Sequence, residues 1–439
     1  MATINVTSLS DSGAGTLRQA ITDLNAQTGS HTITFTGLTG TITLASNLPA
    51  INKSMTITGP GLSSLTVSGN NLYRVFLLNS GFTIYISGLT IANSRNTGGG
   101  ITSGGGILNS GATLTVTDCT FTGCYCVGYG GAIFATSTTT VSNCTFTNNT
   151  ATSFGGGINS QASLTVTGTT FTSNTAQNGS GISSEGTGNI TIGNCTFSGN
   201  SGTAYNSGGT TQTVYNCTFN GNNGANGAGV RAYGGSLSIL SSTISGNTGT
   251  VTSGVYLGEY CSLTLKNSII SGNTGGVGVK DFGSYNDNRS IASAATNIIG
   301  TISTASATSA ARVIGDPLLV ALASNGGTTQ TMAVSAGSVA IGAGNAAASN
   351  ASPVSGLDQR GTTRSATAPT IGAYEYVATT TTTTTTTPAP STFNFPTSPS
   401  TGQVYTFNGI IWVWNGIGWK KRLILPSQDI FMSSNYGGL

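Results

Sequence analysis

Apolar residues in this chain recur in short alternating triplets, not in stripes of helical spacing. One set of triplets is anchored by Phe121, Phe146, Phe171, Phe197, Phe219, Ile244 and Ile270, at intervals of 25, 25, 26, 22, 25 and 26 residues. Two residues before each anchor stand Cys119, Cys144, Thr169, Cys195, Cys217, Ser242 and Ser268. Three residues after it stand Cys124, Asn149, Asn174, Asn200, Asn222, Asn247 and Asn273. A second strand, opened by small residues, recurs at Ile107, Ile133, Ile158, Ile182, Val230 and Val255, and a third at Leu114, Leu164, Ile190, Leu237 and Leu263. One unit of three short strands cannot bury its own inward face, so successive units must stack. The pattern predicts an all-β fold, a right-handed parallel β-helix whose coils rise by ~4.8 Å each. In such a solenoid the Cys and Asn columns are structural ladders: small side chains fit beside the Phe stack, and amides bond one another at the corners.

The ends depart from this period. Leu17, Ala20, Ile21 and Leu24 fall at i, i+3, i+4 and i+7, predicting an amphipathic helix over about 16–26. A helix there would cover the open edge of the first coil. Weaker strands at 32–35, 41–44, 55–58, 65–67 and 83–86 lead into the regular coils. The organisation read from these patterns is a cap with first coils (1–70), regular coils (71–273), irregular coils with a closing cap (274–376), a Thr/Pro linker (377–392), a Trp-rich β module (393–422) and a tail (423–439).

Composition narrows the chemistry. Only 6% of the 439 residues are charged and 65 are glycine. His31 is the single histidine, which excludes a histidine-based metal centre or proton shuttle. A balance of 14 basic to 11 acidic residues gives +3, with no dense basic face for nucleic acid. No apolar run approaches the ~20 residues that span a bilayer. The first residues lack the charged and apolar regions of a signal peptide, so the expectation is a protein made in a cytoplasm. The seven cysteines, Cys261 and the Cys124–Tyr–Cys126 pair included, are expected to be inert buried thiols. No cofactor and no metal are expected.

Both ends of the solenoid resemble a known group. The segments Val6-Thr-Ser-Leu-Ser-Asp-Ser-Gly-Ala-Gly-Thr-Leu-Arg-Gln-Ala20 and Ile57-Thr-Gly-Pro-Gly61 resemble the start of bacterial surface β-helix proteins of the choice-of-anchor (CSLREA-type) group. The stretches Asp316-Pro-Leu-Leu319, Asn325-Gly-Gly-Thr-Thr-Gln330, Asp358-Gln-Arg-Gly361 and Ile371-Gly-Ala-Tyr-Glu375 resemble the end of the same proteins. That resemblance, over about 3–376, implies a surface-displayed β-helix of largely unassigned function. Members usually carry a signal peptide and a sorting anchor, and neither is seen here. Instead, a threonine run at 379–387 leads to Tyr405-Thr-Phe407, Asn408-Gly409, Trp412-Val-Trp414, Asn415-Gly416 and Trp419-Lys-Lys421. This hairpin-like pattern resembles a small module of bacteriophage fibre and virion surface proteins.

Together these resemblances imply a non-enzymatic phage virion protein on the particle surface, a capsid decoration protein or a head or tail fibre. Its partners would be capsid or tail proteins, and host surface polysaccharide bound weakly but multivalently. Residues 1–30 serve as a cap, so the expected virion anchor is C-terminal: Lys420, Lys421, Arg422, Leu425, Ile430 and Phe431. Phage β-helix spikes are commonly trimers, so a homo-oligomer is expected. Trp412, Trp414 and Trp419 either stack on sugars or form the core of the small module, and core is favoured in a unit with little else to bury.

The alternatives are a tailspike-type polysaccharide depolymerase and a bacterial surface adhesin. Glycosidases use two carboxyl groups ~5–9.5 Å apart. Across 98–273 the acids are Asp118, Glu185 and Glu259. The last two fall near the same point of coils three apart, hence ~14 Å at the strand spacing. Asp281, Asp287 and Asp316 lie where the period fails, leaving a carboxylate site there open. Gly224-Ala-Asn-Gly227-Ala-Gly229 mimics a nucleotide-binding loop, but no helix pattern follows it, so it reads as a solenoid turn.

Overall fold

The computed structural model describes residues 1–96, 103–209, 211–275, 281–284, 291–292, 295–302, 312–378, 396–407 and 410–422. It divides into two units, 1–378 and 379–439. The first is a parallel solenoid of three long sheets, here called I, II and III in the order one coil visits them, with two short ones among the described residues (Arg95–Asn96, Tyr125–Cys126 and Thr150–Ala151; Asn223–Asn226 and Thr248–Thr252) in the connections from II to III. Sheet I holds twelve strands among the described residues, from Thr3–Asn5 to Ile291–Ala292. Sheet II holds twelve, from Gly40–Thr43 to Arg312–Val313, and sheet III nine, from Phe76–Asn79 to Phe282–Ser284.

Period-2 alternation sends one residue of each strand pair inward. In sheet II the rings of Phe121, Phe146, Phe171, Phe197 and Phe219 stack at centroid separations of 4.7, 4.9, 4.7 and 4.5 Å, close to the strand spacing. The register is unbroken from Thr90–Ala92 through Thr243–Ser245.

Between sheets I and II the chain turns on one left-handed residue per coil. Asp118, Asn143, Asn194, Asn216 and Asn267 hold φ of 50, 53, 54, 49 and 49° there. Asn and Asp tolerate this region because their short side chains bond locally, which explains their frequency at the corners. The helix predicted near the N-terminus spans Leu17–Asn25, capped by Thr16, whose hydroxyl accepts from the Gln19 amide at 3.2 Å. Leu17, Ala20, Ile21 and Leu24 face the same core as Val6, Ile33 and Ile51. Ahead of the helix, Thr3–Asn5 pairs with His31–Thr34, a strand too short to show in the pattern.

After sheet II ends, residues 316–376 do not continue the coils. They form a segment that returns along the corner between sheets I and II. Gly372 donates to the Asn267 carbonyl at 2.8 Å, Asn216 donates to the Leu357 carbonyl at 3.0 Å, and Thr329 donates to the Asn194 carbonyl at 3.0 Å. The Asp358–Gly361 and Ile371–Glu375 stretches meet inside this segment: Asp358 pairs with Arg360 at 2.6 Å and accepts from the Glu375 amide at 2.9 Å. Arg364 is buried, and burial lowers its pKa to about 10 although Asp358 and Glu375 oppose the shift.

The second unit contains an antiparallel sheet of Val404–Phe407, Ile410–Trp414 and Trp419–Arg422. Tyr405 lies opposite Trp412, and Trp414 opposite Trp419. The pattern implies a hairpin, with Lys420-Lys421-Arg422 either a patch that docks on an acidic partner or a solvated turn. The turn at Asn415, closed by its amide on the Gly418 carbonyl at 3.1 Å, instead sends Lys420, Lys421 and Arg422 back as a third strand.

The ladder of asparagines after sheet II is the most connected polar feature of the interior. Asn149, Asn174, Asn200, Asn222, Asn247 and Asn273 are all buried. Each side-chain amide donates to the next Oδ1: 3.0 Å from Asn149, 3.0 Å from Asn174, 2.8 Å from Asn200, Asn222 and Asn247. The same oxygens accept the backbone amide of the preceding asparagine, and each Nδ2 also donates to a sheet II carbonyl such as Phe171 from Asn200, at 3.0 Å. Replacing Asn200 with Ala strips four bonds and leaves buried donors on Asn174 unpaired. It should cost about 3–5 kcal/mol in urea denaturation. A loss below about 1 kcal/mol would show that the ladder contributes little.

Candidate functional site

The Cys column and the Asn column form the interior of the corners. Cys119, Cys144, Cys195 and Cys217 are buried free thiols. Backbone amides approach their sulfurs, Cys119 to Cys144 Sγ and Cys195 to Cys217 Sγ, both at 3.4 Å. Burial pushes the Cys119 thiol up to about 12 and the Cys124 and Cys126 thiols to about 11, and raises Cys144 and Cys217 as well. None of these sulfurs is poised as a nucleophile.

Asp281 takes the next place in the asparagine column. Its Oδ1 accepts from the Asn273 amide at 3.0 Å and from Asn273 Nδ2 at 2.8 Å, while its Oδ2 accepts from the Thr301 amide at 2.7 Å and hydroxyl at 2.9 Å. Both carboxylate oxygens are engaged, Oδ1 by the ladder and Oδ2 by Thr301, so Asp281 closes the column. Asp316 accepts from the Leu318 amide at 2.8 Å on an exposed turn. Asp287 lies outside the described residues, as do Leu425, Ile430 and Phe431.

The surface of sheet III offers a different arrangement. The middle residue of each strand faces away from the apolar core, giving the column Phe134, Asn159, Ser183, Asn206, Arg231 and Tyr256 in continuous register, although the first four are buried. The loop that leads from sheet II into sheet III flanks this column. It is ten residues long at 148–157 and nine at 173–181 and 221–229, but only six at 199–204. The 22-residue interval in the sequence is this shortened loop. Tyr129, Phe154 and Asn178 bridge one another along the flank, and the six-residue loop interrupts that line at the next coil.

The interruption leaves a groove of about 360 Å³. Phe154, stacked on Tyr129 at 5.7 Å, and Asn178 form one wall. Asn206, Ser207 and Arg231 form the floor, and Glu185 and Tyr233 line the other side. Arg231 reaches across the gap to donate to Asn178 Oδ1 and to the Tyr233 hydroxyl, with its guanidinium carbon 4.1 Å from the Tyr233 ring centroid. Asn206 is 6% exposed; its Nδ2 donates to Ser183 Oγ at 3.1 Å, but its Oδ1 has no partner among the described residues, and neither does Arg231 Nε. Partial burial raises the Glu185 pKa above its ordinary value.

Glu259, the other acid on this side, follows the strand three places further along sheet III. At the strand spacing that is about 14 Å from Glu185. Asp118 sits at the corner between sheets I and II. The groove thus presents aromatic walls, amides, one cation and one carboxylate.

None of the groove residues was singled out in the sequence except Glu185. Tyr205–Ser207 breaks the Ile/Val pattern of its sheet, so the strand beside the groove was the one left unassigned. The anomalous interval of 22 was the available signal.

In the second unit, Trp412, Trp414 and Trp419 are each half-buried, and Lys420 is exposed. The Trp414 and Trp419 rings lie 5.7 Å apart and Tyr405 meets Trp419 edge-on at 6.0 Å. Trp414, Trp419 and Tyr405 thus contact one another within the sheet.

Residues 51–219 and 157–311 match the family model described as a right-handed beta helix region. No curated protein matches the sequence. Among the described residues no helix is long and apolar enough to cross a membrane.

The raised thiol pKa values fix a sign. A thiol whose folded pKa exceeds its unfolded value of 9.0 stabilises the fold fully below pH 9 and loses that contribution as pH climbs toward 11–12. Denaturant midpoints should therefore be flat up to pH 8.5 and fall between pH 9 and 11. At pH 8 a disulfide reagent should titrate all seven cysteines only after unfolding; rapid reaction of native Cys119 or Cys144 would refute the buried-ladder assignment.

Proposed function

The chain belongs to the right-handed β-helix family, and on that premise we propose that it is a surface-displayed, non-enzymatic bacteriophage virion protein that contacts host glycans. The observation that carries the reading is the groove on sheet III, with aromatic walls and an amide and guanidinium floor but a single carboxylate. Sugar rings present apolar faces to aromatics and hydroxyls to amides, and such contacts bind without bond cleavage. The β-helix fold itself is shared by tailspikes, adhesins and pectate lyase-like enzymes, so function must come from the site.

The virion assignment rests on the resemblance of 393–422 to phage fibre and decoration modules and on the separate small sheet there. In this reading the solenoid is a stiff displayed body. The Trp module and the tail at 423–439 attach it to capsid or tail proteins, with Lys420, Lys421, Arg422, Leu425, Ile430 and Phe431 at the contact. Many copies per particle turn weak glycan contacts into firm attachment. Assembly as a homo-oligomer, a trimer for instance, belongs to the same proposal.

Glu185 favours a second reading, a polysaccharide depolymerase. A carboxyl group whose pKa is raised in a groove is what a general acid requires. Hydrolysis would need a second carboxylate supplied from outside the described part of this groove.

Removing 423–439 tests the attachment. Particles assembled with the truncated chain should lose its density in electron cryomicroscopy while the purified truncated protein keeps its melting temperature. Retention of full density would contradict a tail anchor. Release of reducing ends from host polysaccharide, lost in Glu185→Gln, would replace the binding reading with the enzymatic one.

A further inference from the structure

Three candidates outside the ladders stand out: the buried Arg364 cluster, the exposed basic strand at Lys420, and the notch beside the six-residue loop. The Arg364 cluster is fully engaged, with its guanidinium bonded to the Leu357, Thr370 and Gly372 carbonyls at 2.9, 3.1 and 2.8 Å. The basic strand has nothing beside it that specifies a partner. The notch does.

We propose that the notch is a subsite for one uncharged pyranose ring of a polysaccharide, a deepening that rests on the glycan-binding reading above. Three observations converge. First, the loop at 199–204 lacks three residues that its neighbours at 173–181 and 221–229 possess, so the gap is built into the chain length. Arg231 spans it to Asn178, which holds the gap open as a walled groove.

Second, the floor holds polar atoms without partners among the described residues. Asn206 Oδ1 is an acceptor on a side chain 6% exposed, and Arg231 Nε is a buried donor. Leaving such groups dry is costly, so the site is matched to a ligand that both donates and accepts. A sugar hydroxyl does both.

Third, the charges select against ions. Arg231 and Glu185 line the same groove. A ligand carboxylate drawn to Arg231 meets Glu185, and a ligand ammonium drawn to Glu185 meets Arg231. A neutral ring pays neither penalty. Its hydroxyls donate to Asn206 Oδ1 and Glu185 and accept from Arg231 Nε, while its apolar face lies on Phe154 or Tyr233. The volume of about 360 Å³ lies at the lower end of the ~300–1,000 Å³ typical of ligand pockets, in keeping with one ring of a longer chain.

The test uses the full chain on an array of neutral hexose and N-acetylhexosamine oligosaccharides of four to eight units, with hexuronate oligosaccharides beside them. Binding to a neutral series is expected, weakened about tenfold by Tyr233→Ala and by Asn206→Ala. A three-residue insertion after Gly202, restoring the nine-residue loop, should abolish it. Melting temperatures identify any variant that fails to fold, and Tyr233, 38% exposed, is the substitution least able to disturb the coil. Neutral binding unchanged in folded Tyr233→Ala and in the insertion variant would overturn the subsite while leaving the glycan-binding reading intact. Binding confined to hexuronates and lost in Arg231→Gln would overturn the uncharged class. No binding by the unmodified chain to any oligosaccharide or to host polysaccharide would remove both.

Discussion

Every coil of this protein must return its buried polar groups to partners on the coils above and below, and the asparagine column is where that demand is strictest. A parallel sheet satisfies strand backbone by register alone, but a tight corner turns carbonyls and amides inward. Asn149 through Asn273 answer with side chains that each accept from one coil and donate to another. Each Nδ2 donates one hydrogen to the amide oxygen of the next coil and the other to a sheet II carbonyl of the preceding coil, and the column ends on the carboxylate of Asp281. A side chain that only accepts can end the column because both of its oxygens are taken up, Oδ1 by Asn273 and Oδ2 by Thr301. The same spacing stacks the phenylalanines, so polar and apolar columns fix one register together.

That frame makes local length a functional variable. Where a corner loop loses three residues, the ladder and the Phe stack hold their spacing and the deficit appears at the surface. The loop at 199–204 shows this: Phe171, Phe197 and Phe219 remain stacked at 4.7 and 4.5 Å while the flank of sheet III opens into a groove. The contacts of 316–376 fall on the opposite concern, bracing the corner between sheets I and II through Gln359, Arg364 and Ala373. The motifs Asp358–Gly361 and Ile371–Glu375 are thereby explained as the joint of that brace.

The columns were legible in the sequence because each position repeats about every 25 residues and tolerates only one kind of side chain. Phe121 to Phe219 and Asn149 to Asn273 are read directly from spacing. So is the capping helix, whose apolar stripe is periodic in itself. The groove was not, since its members occur once each: Phe154, Asn178, Arg231 and Tyr233 come from three coils and share a surface only after stacking. Asp281 stayed ambiguous for a related reason, because the interval after Asn273 shrinks to eight residues and hides its place in the column. The third strand at Trp419–Arg422 was missed because three consecutive cations resemble a solvated turn more than a strand.

The most direct measurement is hydrogen exchange by mass spectrometry on the full chain and on Asp281→Ala. A ladder that couples coils predicts slow exchange for peptides containing Asn149, Asn174, Asn200, Asn222, Asn247 and Asn273 in the unmodified protein. In the variant, exchange should quicken by about tenfold or more at Asn273 and Asn247 and fade toward the unmodified rate at Asn149, as nearest-neighbour coupling requires. Rapid exchange across the column in the unmodified protein, or identical rates at Asn273 with and without the Asp281 carboxylate, would contradict it.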